Sequence, residues 1–214
     1  MLELFISVLL LGIASMASPG ILAISIYLLA RNPEKKANII AFILGGLVIA
    51  ILLALAGFVV SSGNYGVIQF QNPQMADFLI GSLMMVFGFY SLFSKEGNVN
   101  VKGESKSAML KLFLLGVMVN GTNIDAVFLN FTAAKEIAAA DISNIYKLVL
   151  IAFADMLFIM PALLPLVAFT FMPEKSKPFL DRLNRAVKKY GKLLVCLIFF
   201  GFGIYFIIRS GILA

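Results

Sequence analysis

Two acids stand where acids are costly. Asp125 and Asp155 lie deep inside long uncharged runs. Neither has Lys or Arg at a similar depth; Lys111 lies about 14 residues before Asp125, or roughly 21 Å of helix. A lone carboxylate in lipid must be protonated, held by Asn or Ser donors, or neutralised by a cation. Its expected uses are proton coupling or recognition of a substrate amine or cation. The plainer alternative is a protonated carboxyl that caps a broken helix.

Two polar interruptions accompany these acids. Ser18-Pro19-Gly20 divides one apolar run, and Asn120-Gly121-Thr122-Asn123 divides another. Pro removes a backbone donor and clashes with the preceding turn, while Gly and Asn favour non-helical backbone. Each break exposes N–H groups at one half-helix end and C=O groups at the other. Lipid cannot satisfy them, so they must face protein or a cavity. Half-helix N-termini attract carboxylate, phosphate and similar anions. These seven residues, with Asp125 and Asp155, are the candidate substrate- and ion-binding set. Pro161 and Pro165 lie about one turn apart near Asp155 and are the candidate gating residues. Kinks that merely improve packing are the alternative for both groups.

The elements that position these residues follow from composition. Of 214 residues, 61% are hydrophobic and only 13% charged, and mean hydropathy is +1.01. Soluble domains carry about a quarter charged residues, so a water-soluble domain and a disordered chain are both excluded. The charges define six expected spans: 4–30, 38–60, 76–93, 108–134, 145–172 and 191–213. Each approaches the roughly 20 apolar residues of a membrane helix. Continuous apolar runs exclude the alternating strands of a membrane barrel. The first run is preceded by Glu3 and no cation, so it reads as a retained span rather than a secretory signal.

Fourteen of the 17 cations fall in or beside the loops after spans one, three and five. That bias places those loops in the cytoplasm and both termini outside. The net charge of +6 is therefore a topology label, not a nucleic-acid footprint. There is no His and one Cys, so Ser–His hydrolysis and thiol–disulfide transport are excluded. No metal site or cofactor is expected. No Gly-x-Gly-Asp motif accompanies either membrane acid, so an enzyme is not expected.

An odd number of spans repeated once inverts its orientation. Phe87-Gly88-Phe89-Tyr90 late in span three matches Phe202-Gly203-Ile204-Tyr205 late in span six. Spans one and four share a polar break. The expected fold is thus an all-α integral membrane protein with a 3+3 inverted repeat: residues 1–94, a cytoplasmic linker at 95–107, and residues 108–214. Gly45-Gly46 and Gly201-Phe202-Gly203 permit close helix contacts, within one chain or between two copies in a homodimer. Residues 176–190 form an amphipathic helix. Its cations Lys177, Arg182, Arg185, Lys188 and Lys189 are candidate contacts to membrane-lipid head groups.

Several short motifs carry a family resemblance. They are Ser18-Pro19, Arg31-Asn32-Pro33 leading to Ala41-Phe42 and Gly45, and Asn120 to Ala126. Lys135-Glu136-Ile137-Ala138, Pro161 to Pro165 and Pro173-Glu174 complete the set. Together they resemble the sulfolipid- and glycopeptidolipid-addressing proteins, the GAP family, placed in the lysine exporter superfamily of six-span transporters. The resemblance implies export or flipping of a lipid-linked or amphipathic molecule across the cytoplasmic membrane. Amino-acid exporters of that superfamily carry Pro-Gly-Pro in span one, whereas Ser18-Pro19-Gly20-Ile21 lacks the second Pro. An amino-acid or cation exporter and a non-transporting scaffold for lipid export are the alternatives.

Overall fold

The computed structural model of the chain describes residues 1–31, 36–62, 73–93 and 108–211. The linker expected at 95–107 lies outside them, as do residues 63–72 and Asn32-Pro33 of the family motif. The described residues form eight helices and no strand. They are α1 (Leu2–Ser15), α2 (Pro19–Arg31), α3 (Lys36–Ser62), α4 (Pro73–Phe93), α5 (Ala108–Gly121), α6 (Ile124–Ala139), α7 (Asn144–Phe171) and α8 (Pro173–Ser210). Continuous apolar sequence in lipid leaves the backbone no partner but itself, so each run closes its own hydrogen bonds as helix. Large apolar side chains such as Leu55, Val86, Met118 and Leu197 stay exposed on the outer surface, as lipid-facing residues do.

Three helical stretches are long and apolar enough to cross a membrane: Lys36–Ser61, Asn144–Phe171 and Lys189–Ser210. Two further pairs qualify as broken spans. α1 meets α2 at 60°, and α5 meets α6 at 76°. These make five. The third expected span is shorter, with an apolar stretch of only Asp77–Tyr90 in α4. That is about 21 Å of helix against a hydrocarbon core of about 30 Å. The molecule is an all-helical, membrane-embedded protein.

Small residues fix two close helix crossings. A Cβ on Gly45 would strike the backbone of Phe113 and Gly116, and one on Gly116 would strike the Phe42 carbonyl, so α3 and α5 touch main chain to main chain. α4 and α8 run antiparallel. Gly81 faces Gly203, Gly88 faces Phe199 and Phe200, and Asp77 faces Arg209. Gly45 and Gly203 thus make their close contacts within the chain, whereas Gly201 faces open space. The main core gathers Val8, Leu11, Met84, Leu129, Ile137, Phe199 and Phe206 from α1, α4, α6 and α8.

The amphipathic stretch 176–190 is helical, and it continues into the last span as α8, which runs for 38 residues. Only Gly191 stands at the expected junction, and one Gly inside a helix costs about 1 kcal/mol, too little to break it. Gly191 is buried beside Ala17, so packing also holds the helix together there.

Candidate functional site

The two breaks are built the same way. In the first, Met16 N–H bonds the Gly12 carbonyl, Ala17 N–H bonds Ala14, and Ser18 N–H bonds Met16 (3.1, 3.0 and 2.7 Å). In the second, Thr122 N–H bonds Met118, Asn123 N–H bonds Asn120, and Ile124 N–H bonds Thr122 (2.9, 3.3 and 3.0 Å). The helix therefore tightens from four-residue to three-residue to two-residue closure in both places. Asn123, at φ −78° and ψ 74°, lies at the centre of an inverse γ-turn. Pro19 then opens α2 without wasting a donor, and its ring turns Ser18 away from helical backbone.

The breaks also touch. The Asn123 side-chain amide donates to the Ser18 hydroxyl at 3.0 Å, across 105 residues of sequence. Because α2 starts at Pro19 and α6 at Ile124, this bond sits at two half-helix N-termini. The positive ends of two helix dipoles are brought to one place. Asp125 occupies the first turn of α6, half-buried, where a carboxylate is favoured by that dipole. The other polar residues of the second break turn back on their own helix. Thr122 Oγ1 donates to the Met118 carbonyl at 2.8 Å, and buried Asn120 donates to the Gly116 carbonyl at 2.8 Å beside Gly46. Gly20 is exposed, with open space where a side chain would be.

Asp155 is buried in α7, and the Asn130 amide of α6 donates to its Oδ1 at 3.1 Å. Asn130 lies two turns beyond Asn123, about 10 Å along the helix. Its own Oδ1 is buried with no hydrogen-bond partner among the described residues. Thr132 instead bonds the Phe128 carbonyl at 2.8 Å. Pro161 and Pro165 are buried, and α7 runs through both without interruption. Arg182, Arg185 and Lys189 are exposed on α8, and Lys189 lies over the Tyr190 ring at 5.0 Å. The side chains of Lys177 and Lys188 lie outside the described ones.

One cluster escaped the sequence reading. Arg209 bonds Asp77 through Nε (2.7 Å) and Nη2 (2.7 Å), and Glu136 through Nη1 (2.8 Å) and Nη2 (3.0 Å). Lys135 bonds Asp77 at 2.6 Å and approaches Glu136 at 3.4 Å. Phe206 lies under both cations, 5.2 Å from Lys135 and 4.7 Å from Arg209. Two acids and two bases thereby join α4, α6 and α8 at one end. The available signal was that Lys135 and Arg209 are two of only three cations on the less basic side, where Asp77 and Glu136 also stand at span ends.

A helical membrane protein with bent helix pairs, touching breaks and buried polar groups between spans belongs to the polytopic α-helical class. The family model SfLAP, described as Sap, sulfolipid-1-addressing protein, matches residues 8–212, and the chain belongs to that family. It is thus a membrane protein of a lipid-addressing family. No curated protein and no solved structure matches it.

Proposed function

We propose that this chain is an exporter or flippase that moves a lipid-linked or amphipathic molecule across the cytoplasmic membrane. The observation that carries the reading is the Asn123–Ser18 bond between the two helix breaks. Paired interruptions in corresponding spans mark midplane sites in transporters with repeated halves. The identical hydrogen-bond sequence in the two breaks and the antiparallel α4–α8 pairing support two inverted halves, with α4 as the third of six spans. The cation bias supports external termini. In this reading two half-helix N-termini hold an anionic group of the cargo, and Asp125 and Asp155 exchange a proton or cation with it. The exporter is a transporter of the lysine exporter superfamily and performs no covalent chemistry.

The test is leaflet transfer in proteoliposomes, using acyl-labelled phosphatidylglycerol as probe and reading the fraction of label reached by an impermeant quencher. Wild-type protein is expected to speed transfer at least tenfold over protein-free vesicles. Asn123→Ala and Ser18→Ala each lose most of that gain while remaining folded. Transfer equal to protein-free vesicles, or unchanged by both substitutions, overturns the proposal.

A further inference from the structure

The region where α8 passes the first break holds an apolar cavity of about 410 Å³. Met16 and Ala17 of the break, Pro161 of α7, and Leu183, Ala186 and Tyr190 of α8 are among its walls. A void so apolar offers water no partners and suits hydrocarbon. The α8 wall recurs at helical spacing, so its sequence neighbours have calculable positions. At about 100° per residue, Arg182 and Lys189 fall on the flank beside Ala186, and Arg185 falls further round, away from the groove. All three cations are exposed, as is Asp181, and the described charges from 181 to 189 leave this flank positive.

We infer that this groove binds one acyl chain of an anionic membrane phospholipid, with the head group held at Arg182 and Lys189. Charge decides between occupants. A second copy of the chain would bring the same cations against these, which repel. An anionic lipid brings the complement, and long basic side chains reach the interface while their stems cover apolar surface. The site stands beside the Ser18–Asn123 junction without being part of it, and it does not depend on transport. Its walls include Met16 and Ala17 of the first break and Pro161 of α7.

The chain contains no Trp, so a single introduced one reports its surroundings without background. Tyr190→Trp places the probe in the groove wall. Leu197→Trp places it on an exposed face of α8 outside the groove. Both variants are reconstituted in vesicles containing brominated phosphatidylglycerol or brominated phosphatidylcholine at equal fraction. Each comparison is made within one probe position, which cancels depth. The Tyr190→Trp probe is expected to show apparent affinity for the anionic lipid on the order of tenfold above the zwitterionic one. The Leu197→Trp probe should show a ratio near one. Adding Arg182→Gln to the groove probe should lower the ratio about fivefold, whereas adding Arg185→Gln should leave it nearly intact. Equal ratios at the two probe positions mean ordinary boundary lipid and overturn the proposal. Equal losses from Arg182→Gln and Arg185→Gln mean general leaflet attraction and overturn it too. Absence of quenching at Tyr190→Trp, with a concentration-dependent dimer, assigns the groove to a second copy. A chain that binds phosphatidylglycerol here yet transfers no lipid between leaflets leaves this site standing and removes the exporter reading alone.

Discussion

Arg209 grips Asp77 with two hydrogen bonds of 2.7 Å each, tying the last turn of α8 to the first turns of α4. The apolar stretch of α4, Asp77–Tyr90, is short for a span, and its N-terminal end is anchored by this pair. Side-chain exposure is 12% at Asp77 and 33% at Arg209, so the pair is only partly wet. Lys135, at 8%, depends on the same carboxylate for its closest partner. Asp77 therefore answers two cations at once, and Glu136 supplies the remaining acceptors.

Removing that acid should be more damaging than removing the arginine. Asp77→Ala leaves Lys135 buried without its 2.6 Å acceptor, and a broken buried pair typically costs about 3–5 kcal/mol. Arg209→Gln leaves Asp77 paired with Lys135 and should cost about 1–2 kcal/mol. Thermal unfolding in detergent checks the order, and a double-mutant cycle of Arg209→Gln with Asp77→Asn should give a coupling of at least about 1 kcal/mol. Equal, negligible shifts for both single variants would show that the cluster is ornamental to stability.

Local pattern and tertiary pairing were unequally legible. The spans could be read because charge is excluded from lipid, and the bends because Pro19, Gly121 and Asn123 cannot continue a helix cheaply. The contact between the bends could not, since nothing in the residues around Ser18 names a partner 105 positions away. Asp155 announced itself as an expensive lone acid, but its donor Asn130 lay on another span. The charged cluster failed to appear because Asp77, Lys135, Glu136 and Arg209 each stand near a span end, where charges ordinarily meet water. The amphipathic pattern reads only as far as Tyr190, and a buried contact of Gly191 with Ala17 carries the helix past it.

Two glycines from the apolar runs should respond in opposite senses. Gly116→Ala drives a methyl into the Phe42 carbonyl, so α3 and α5 must separate. Overpacking of this kind costs about 1–3 kcal/mol, and more where the obstacle is backbone. Gly20→Ala adds its methyl to open space within α2, at a position without positive φ. It should raise stability by about 0.4–1 kcal/mol by restricting the unfolded chain. Melting temperatures of the two variants beside wild type decide the matter. A destabilised Gly20→Ala would mean that the first break needs glycine for something beyond space.

Asp125 should matter to cargo more than to folding. A carboxylate in the first turn of α6 gains about 0.3–1 kcal/mol from the helix dipole, a contribution that Asp125→Asn should remove while the protein stays folded. If it exchanges charge with cargo at the neighbouring break, leaflet transfer should fall by tenfold or more in the same protein. Transfer that stays at the wild-type rate would remove Asp125 from the cargo site.

Asp155 offers a test in which structure and coupling separate. Its Oδ1 accepts from Asn130 at 3.1 Å in a buried setting between α6 and α7. Hydrogen bonds between membrane helices are worth about 0.6 kcal/mol on average and about 1.7 at most. Asn130→Leu should therefore destabilise modestly, within that range, and so should Asp155→Leu. A cycle over the two positions should recover the bond as a coupling of the same size. Asp155→Asn keeps the volume and an acceptor for Asn130, so its melting temperature should stay close to wild type. What it removes is the ability to take up and release a proton or hold a cation. In vesicles with an imposed pH gradient, wild-type transfer should respond to the gradient's direction, and Asp155→Asn should transfer at one rate in both directions. A gradient response retained in full by Asp155→Asn would assign the coupling elsewhere and reduce the Asn130–Asp155 pair to a packing bond.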